Sequence, residues 1–150
     1  MVSVSLKNGK NKYMLTKEID YALRLVMHLE ELLSEKNEEY FSVTKLSEEL
    51  NVPYRFLRKI SGKLTFAGIC ESSRGKYGGI KLNDKRGKLT LLEVLRAVDN
   101  DSLKLNFCLR DEDVCLRSDK CKLHPVFLEL QKHLEAELGA LTFRGIIADN

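Results

Sequence analysis

Three cysteines and a histidine stand close together in one polar stretch: Cys108, Cys115, Cys121 and His124. Six residues separate the first two cysteines, five separate the next two, and the histidine follows three positions on. Thiolate and imidazole are the donors taken by soft and borderline metals and by iron–sulfur clusters. The stretch carries few apolar residues, so core packing does not account for its thiols. Three readings are open: unrelated thiols on a loop, a zinc site, or a loop wrapped around a larger inorganic core. Zinc motifs ordinarily pair their cysteines more tightly than this, and the wide spacing favours the larger core. Asp111, Glu112 and Asp113 lie between the first two cysteines and could serve a metal-dependent enzyme as acid or base. No motif frames a substrate pocket around them, so a hydrated loop is the preferred account. The fourth cysteine, Cys70, lies in a strand-like run and reads as a small buried apolar residue.

The chain that positions this stretch has 150 residues, the length of one domain with room for an appended arm. Its 43% hydrophobic and 31% charged residues are ordinary for a soluble globular protein. No apolar run approaches the ~18 residues of a membrane span, and the first residues lack the apolar segment of a signal peptide. A cytoplasmic chain is expected, and that compartment keeps thiols reduced and available to metal. The net charge of +3 conceals an asymmetry. Residues 1–88 hold 17 Lys+Arg against 11 Asp+Glu, and residues 89–150 hold 8 against 11. Within residues 51–88 the balance is 10 against 2, a net +8. Positive charge gathered in one segment is the footprint expected of a phosphate-binding surface.

Residues 1–13 are polar and predict a flexible arm. Thr16 then caps a helix to about residue 33, with Glu18 and Asp20 in its first turns and Ile19, Leu23, Val26, Leu29 and Leu33 on one apolar face. Residues 42–67 predict a helix-turn-helix. Val43, Leu46 and Leu50 mark the first helix, Asn51 and Val52 the turn, and Pro53 the first position of the second helix. Phe56, Leu57, Ile60 and Leu64 give that second helix its buried stripe. Tyr54, Arg55, Arg58 and Lys59 give it a basic face, as a major-groove reader requires. Residues 69–82 predict a hairpin whose glycine-rich tip carries Arg74 and Lys76. No Gly-Lys-Ser/Thr follows, so the glycines are not a nucleotide loop. Thr90 and Glu93 form a capping box that opens a further helix. After the cysteines, Pro125 opens a long helix on which Phe127, Leu130, Leu134, Leu138 and Leu141 make an apolar ridge. After a compact reader, such a ridge is expected to pack on a second copy. His28 and His133 are isolated and read as structural or surface residues.

Taken together, these residues resemble the winged-helix regulators typified by IscR, NsrR and the cysteine regulator CymR. The resemblance runs from Met14 to about Ala148. It is carried by Leu15, Thr16 and Lys17 ahead of Asp20, Tyr21, Ala22, Leu23 and Arg24; by the run from Val52 to Ile60; by Arg74, Gly75, Gly78, Gly79 and Leu82 in the wing; by the segment from Leu89 to Asp99; and by the three cysteines. The chain departs from the pattern in having Ile80 where members often carry Tyr, and a first cysteine spacing one residue longer than usual. The resemblance implies a transcription factor, mostly a repressor in this family, with a 2Fe–2S or 4Fe–4S cluster on the three cysteines. It offers two fourth ligands: His124, as in IscR-like members, or Asp20 from the other subunit, as in NsrR-like members.

The sequence therefore predicts a mostly α protein with a small β-hairpin wing. A flexible arm (1–13) precedes a winged helix-turn-helix (14–88), and a cluster-binding loop with dimerisation helices follows (89–150). Tyr54, Arg55 and Arg58 are expected at base edges, with Lys59, Arg74 and Lys76 on phosphates and Thr44 of the first helix counted with them. The expected partners are double-stranded DNA with a palindromic operator and a second copy of the chain. The expected cofactor is an iron–sulfur cluster, 2Fe–2S in preference to 4Fe–4S, held by Cys108, Cys115, Cys121 and His124. A cluster-free or zinc-binding regulator of the same fold is the alternative, and an enzyme the remoter one.

Overall fold

A computed structural model describes residues 15–35, 39–83, 88–110, 115 and 117–149, and among them are six α-helices and one hairpin. The arm expected over residues 1–13, and Asp111, Glu112 and Asp113, lie outside the described residues. Helix α1 (Lys17–Ser34) starts where Thr16 accepts a hydrogen bond from the Ile19 amide at 3.3 Å. It buries Ile19, Ala22, Leu25, Val26 and Leu29 and packs against three later helices and the second strand. It is thus the central element of the fold.

The helix-turn-helix follows as α2 (Val43–Glu49) and α3 (Tyr54–Phe66). Asn51, at φ 51°, makes the turn. Its amide bonds the Glu48 carbonyl at 3.2 Å, and the next amide, Val52, bonds Ser47 at 3.0 Å. That pair of reverse bonds ends a helix with one left-handed residue, a conformation Asn tolerates better than most non-glycine residues. Pro53 caps α3 rather than entering it, one position earlier than the sequence implies. The far end of α3 closes the same way on Gly68, at φ 70°, with Ile69 bonding the Leu64 carbonyl at 2.9 Å. Leu57, Ile60 and Leu64 of α3 are fully buried.

The wing consists of β1 (Cys70–Ser73) and β2 (Gly79–Leu82), antiparallel, with Cys70 opposite Leu82 and Ser73 opposite Gly79. Phe41 adds an isolated bridge, exchanging two hydrogen bonds with Ile80 at 2.8 and 2.9 Å. A Cβ at position 79 would strike the Phe41 carbonyl, so a glycine there lets the two backbones meet. This ties the wing to the residue just ahead of α2.

Helix α4 (Leu91–Asp99) carries the expected capping box, with Thr90 and Glu93 bonding each other's backbone. Short 3-10 turns at Asp101–Leu103, Phe107–Leu109 and Ser118–Lys120 lead to α5 (His124–Ala140), and α6 (Phe143–Ala148) ends the fold. Sequence periodicity missed α6. Its Phe143 is fully buried in the same core as Ile19, Leu57 and Leu95, so residues on both sides of position 88 build one apolar interior. No helix among the described residues is long and apolar enough to cross a membrane.

Candidate nucleic-acid interface and metal centre

Burying one face of α3 leaves the other outward. Tyr54, Arg55 and Arg58 are exposed. The Arg55 guanidinium lies over the Phe56 ring at 5.1 Å, and Phe56 meets Tyr21 of α1 edge-on at 6.0 Å. The basic face is therefore mounted on a rigid aromatic contact with the central helix. Thr44 of α2 is also exposed. Lys59 departs from this pattern: its ammonium lies 3.2 Å from the Glu18 carboxylate of α1, which Lys63 also approaches at 2.7 Å. Burial pushes the Glu18 carboxyl up, but the hydrogen bonds and charges of Lys63 and Lys59 outweigh it and hold the group below the usual carboxylate range.

Arg74 and Lys76 are exposed at the wing tip. Lys76 stands over the Tyr77 ring at 5.5 Å. With Tyr77 it lines a cleft of about 610 Å³ shared with Tyr40, Ser42 and Lys45. The wing tip and the start of α2 thus face one space, a juxtaposition that the Phe41–Ile80 bridge sets up. The sequence reading overlooked Lys45 and Tyr77; the signal available was Lys45 in the first turn of the first helix of the motif.

The four cysteines are all free. Cys70 is buried on β1, and burial pushes its thiol up to about 12. Cys108, Cys115 and Cys121 are half-buried, with Cys108 in the turn that Asn106 caps by accepting from the Phe107 amide at 2.7 Å. His124 is the first residue of α5, and its Nδ1 is buried without a hydrogen-bond partner among the described residues. Such an orphan is costly unless a group beyond the described residues satisfies it. The donor types therefore fit a thiolate–imidazole metal group. Among the described residues, however, no three of these donors, or of the acids, stand close enough together to hold a metal. Asp20, the other candidate ligand, is exposed and paired with Arg24 at 3.0 Å.

A polar knot positions the cysteine segment, and sequence reasoning missed it. Gln131 is the one buried residue of α5 among those described. Its Oε1 accepts from the Leu105 amide at 2.9 Å, and its Nε2 donates to the Leu103 carbonyl at 3.1 Å and to Glu135 at 2.8 Å. Glu135 also receives Arg96 of α4 at 2.7 Å and Lys104 at 3.3 Å. The Gln131 amide lowers the Glu135 carboxyl below its ordinary range; burial opposes this, and Lys104 and Arg96 reinforce it. A depressed carboxyl contributes stability above its unfolded pKa, and that contribution is lost as pH falls through the folded value. The backbone leading to Cys108 is thus fastened to the helix that begins at His124, and both to α4. Gln131→Ala should lower unfolding stability by about 1–3 kcal/mol, because the buried Leu103 carbonyl and the half-buried Leu105 amide lose their partner. Urea unfolding checks this, and an unchanged midpoint would mean that water replaces the side chain.

Helix-turn-helix, basic wing and long terminal helix recur together in known proteins. A model of the Rrf2 family, described as iron-dependent transcriptional regulators, matches residues 15–149. The chain belongs to the Rrf2 family. It is 30% identical over 116 residues to the HTH-type transcriptional regulator NsrR of Shouchella clausii, covering 77% of this chain and 75% of that one. Its fold is similar to CymR, the global cysteine regulator of B. subtilis, with a TM-score of 0.67 at 17% identity over 90% and 96% of the two chains. It is also similar to IscR of T. potens, with a TM-score of 0.66 at 20% identity over 89% and 85%. This Rrf2 member is accordingly a DNA-binding transcriptional regulator and not an enzyme, and its mostly helical fold with a two-stranded wing is the one expected.

Proposed function

We propose that this Rrf2 protein is a homodimeric, cytoplasmic repressor that reports iron–sulfur, redox or nitric oxide status through a cluster on Cys108, Cys115 and Cys121. The observation that carries the sensing role is the donor set: three free, half-buried thiols ahead of a histidine whose buried Nδ1 has no partner among the described residues. That orphan favours His124 as the fourth ligand over Asp20, whose carboxylate Arg24 already engages. A bound cluster would supply redox chemistry and a reason for the loop to take one shape, and imidazole ligation raises its potential. A 2Fe–2S cluster goes with His124, and a 4Fe–4S cluster with the Asp20 alternative.

DNA reading is assigned to the exposed face of α3, with Tyr54, Arg55 and Arg58 toward base edges. Arg74 and Lys76 of the wing take phosphates, and Thr44 supports them from α2. The operator is a palindrome, because a twofold dimer presents two such faces. The cysteine segment is tied through Gln131 and Glu135 to α4, and α4 packs on α3. A coupling of ~1–3 kcal/mol between loop and reader would change operator affinity 5- to 150-fold.

Binding to the chain's own promoter region tests the DNA assignment. Arg58→Ala should weaken it by ~1–3 kcal/mol and relax base preference, whereas Lys76→Ala should weaken all duplexes alike and flatten the salt dependence. If neither substitution alters binding, these roles are wrong.

A further inference from the structure

Lys59 sits on the recognition helix, yet a carboxylate from another helix holds it. Glu18 is 21% exposed and reaches two lysines with its two oxygens, Lys63 through Oε1 and Lys59 through Oε2. The lysines differ. Lys63 is 33% exposed and also donates to the Val98 carbonyl of α4 at 2.6 Å, so it belongs to the joint between α3 and α4. Lys59 is 60% exposed and meets only this carboxylate among the described contacts. Glu18 therefore presents to Lys59 the anionic oxygen that a DNA phosphate would otherwise present.

We propose that Glu18 is a specificity-determining residue, an internal carboxylate that occupies Lys59 in place of DNA phosphate. The inference rests on the DNA-reading role of α3. Sequence-independent affinity comes from lysines and arginines that neutralise phosphates and release counterions. A lysine already neutralised within the protein must break one ion pair to make another, so it adds little to binding of arbitrary duplex. Base contacts by Arg55 and Arg58 then account for a larger share of the total, and discrimination between operator and bulk DNA improves. Negative selection of this kind, by withholding an attraction common to all partners, is one route to specificity.

The test uses the full chain as purified and four proteins: wild type, Glu18→Gln, Lys59→Gln and the double variant. Glutamine removes the charge and keeps one acceptor oxygen for Lys63, leaving an amide donor where Lys59 met the second oxygen. Binding to the promoter duplex and to a scrambled duplex is followed by fluorescence anisotropy across a salt series. Glu18→Gln should tighten the scrambled duplex by about three- to tenfold at low salt and steepen the slope of log K against log salt by about 0.9, one phosphate's worth. The ratio of promoter to scrambled affinity should fall. In the Lys59→Gln background the Glu18 substitution should change neither quantity, since the cycle isolates the pair. Weaker binding by Glu18→Gln would instead make Glu18 a positioning partner that aims Lys59 at DNA, and would overturn the proposal. An equal gain with Lys59 removed would also overturn it, showing only the field of one lost charge. Wild-type protein without salt-dependent binding to either duplex would overturn the DNA-reading role and this inference together.

Discussion

Protein purified without oxygen should lose its bound iron and sulfide, and its colour, when Cys108, Cys115 or Cys121 is replaced by Ala, and should keep them in Cys70→Ala. The contrast rests on the state of each sulfur. The thiolate is the ligand form, and Cys70 is 2% exposed with its thiol pushed up to about 12, so it stays protonated inside the core. The other three are half-buried, Cys108 in the turn Phe107–Leu109 and Cys121 three residues ahead of the start of α5. Each removed thiolate would leave the proposed cluster one protein ligand short. His124→Ala should shift the absorbance and the Mössbauer signal, while Asp20→Ala should leave both unchanged. Iron and sulfide analysis with these two spectra decides the matter. A four-iron signal disturbed by Asp20→Ala alone would transfer the fourth ligand to the other subunit. Zinc without sulfide in the wild type would leave the regulator reading standing and end the cluster reading.

Local signals made most of the fold legible. Thr16 and the Thr90–Glu93 box mark their helix starts as read, because capping is a bond between neighbours in sequence. The wing, the turn at Asn51 and the buried face of α3 follow from residue type and period in the same way. What escaped depends on contacts far apart in the chain. Helix α6 is six residues long, too short for a period, and is held by Phe143 and by a bridge between Thr90 and Thr142. Gln131 carries no local signal of its role, yet it anchors the backbone 26 and 28 positions earlier. The ion pair of Lys59 with Glu18 joins residues 41 positions apart and has no signature in the sequence. The cysteines show the same limit: their types were legible, and their mutual placement was not.

A charge on the outer face of α5 should separate the dimer. The ridge expected there divides in two on folding. Leu138 packs against the core, and Gly139 comes within 3.5 Å of Leu92 in α4, measured to a Cβ built on it. Leu123, Val126, Leu130 and Leu141 are instead 60%, 51%, 50% and 45% exposed. Among the described residues α5 buries only a glutamine and leaves these large apolar side chains in water, the face that the proposed dimer would cover. A second copy meeting α5 by a twofold axis would cover Leu130 with its own equivalents. Leu130→Glu should therefore cost the single subunit little, since the side chain is half in solvent before assembly. In the dimer it would place two like charges in one apolar seam, each without a counter-ion, a burial that is disfavoured by several kcal/mol. Sedimentation velocity at micromolar concentration should show a monomer that keeps its helical circular dichroism, with a thermal midpoint lowered only by the loss of assembly. Affinity for a two-half-site operator should fall by ~10²–10⁴, the gain normally supplied by linking two binding faces, while salt-dependent binding to a single half-site persists. A Leu130→Glu protein that still sediments as a dimer would place the seam elsewhere on the molecule.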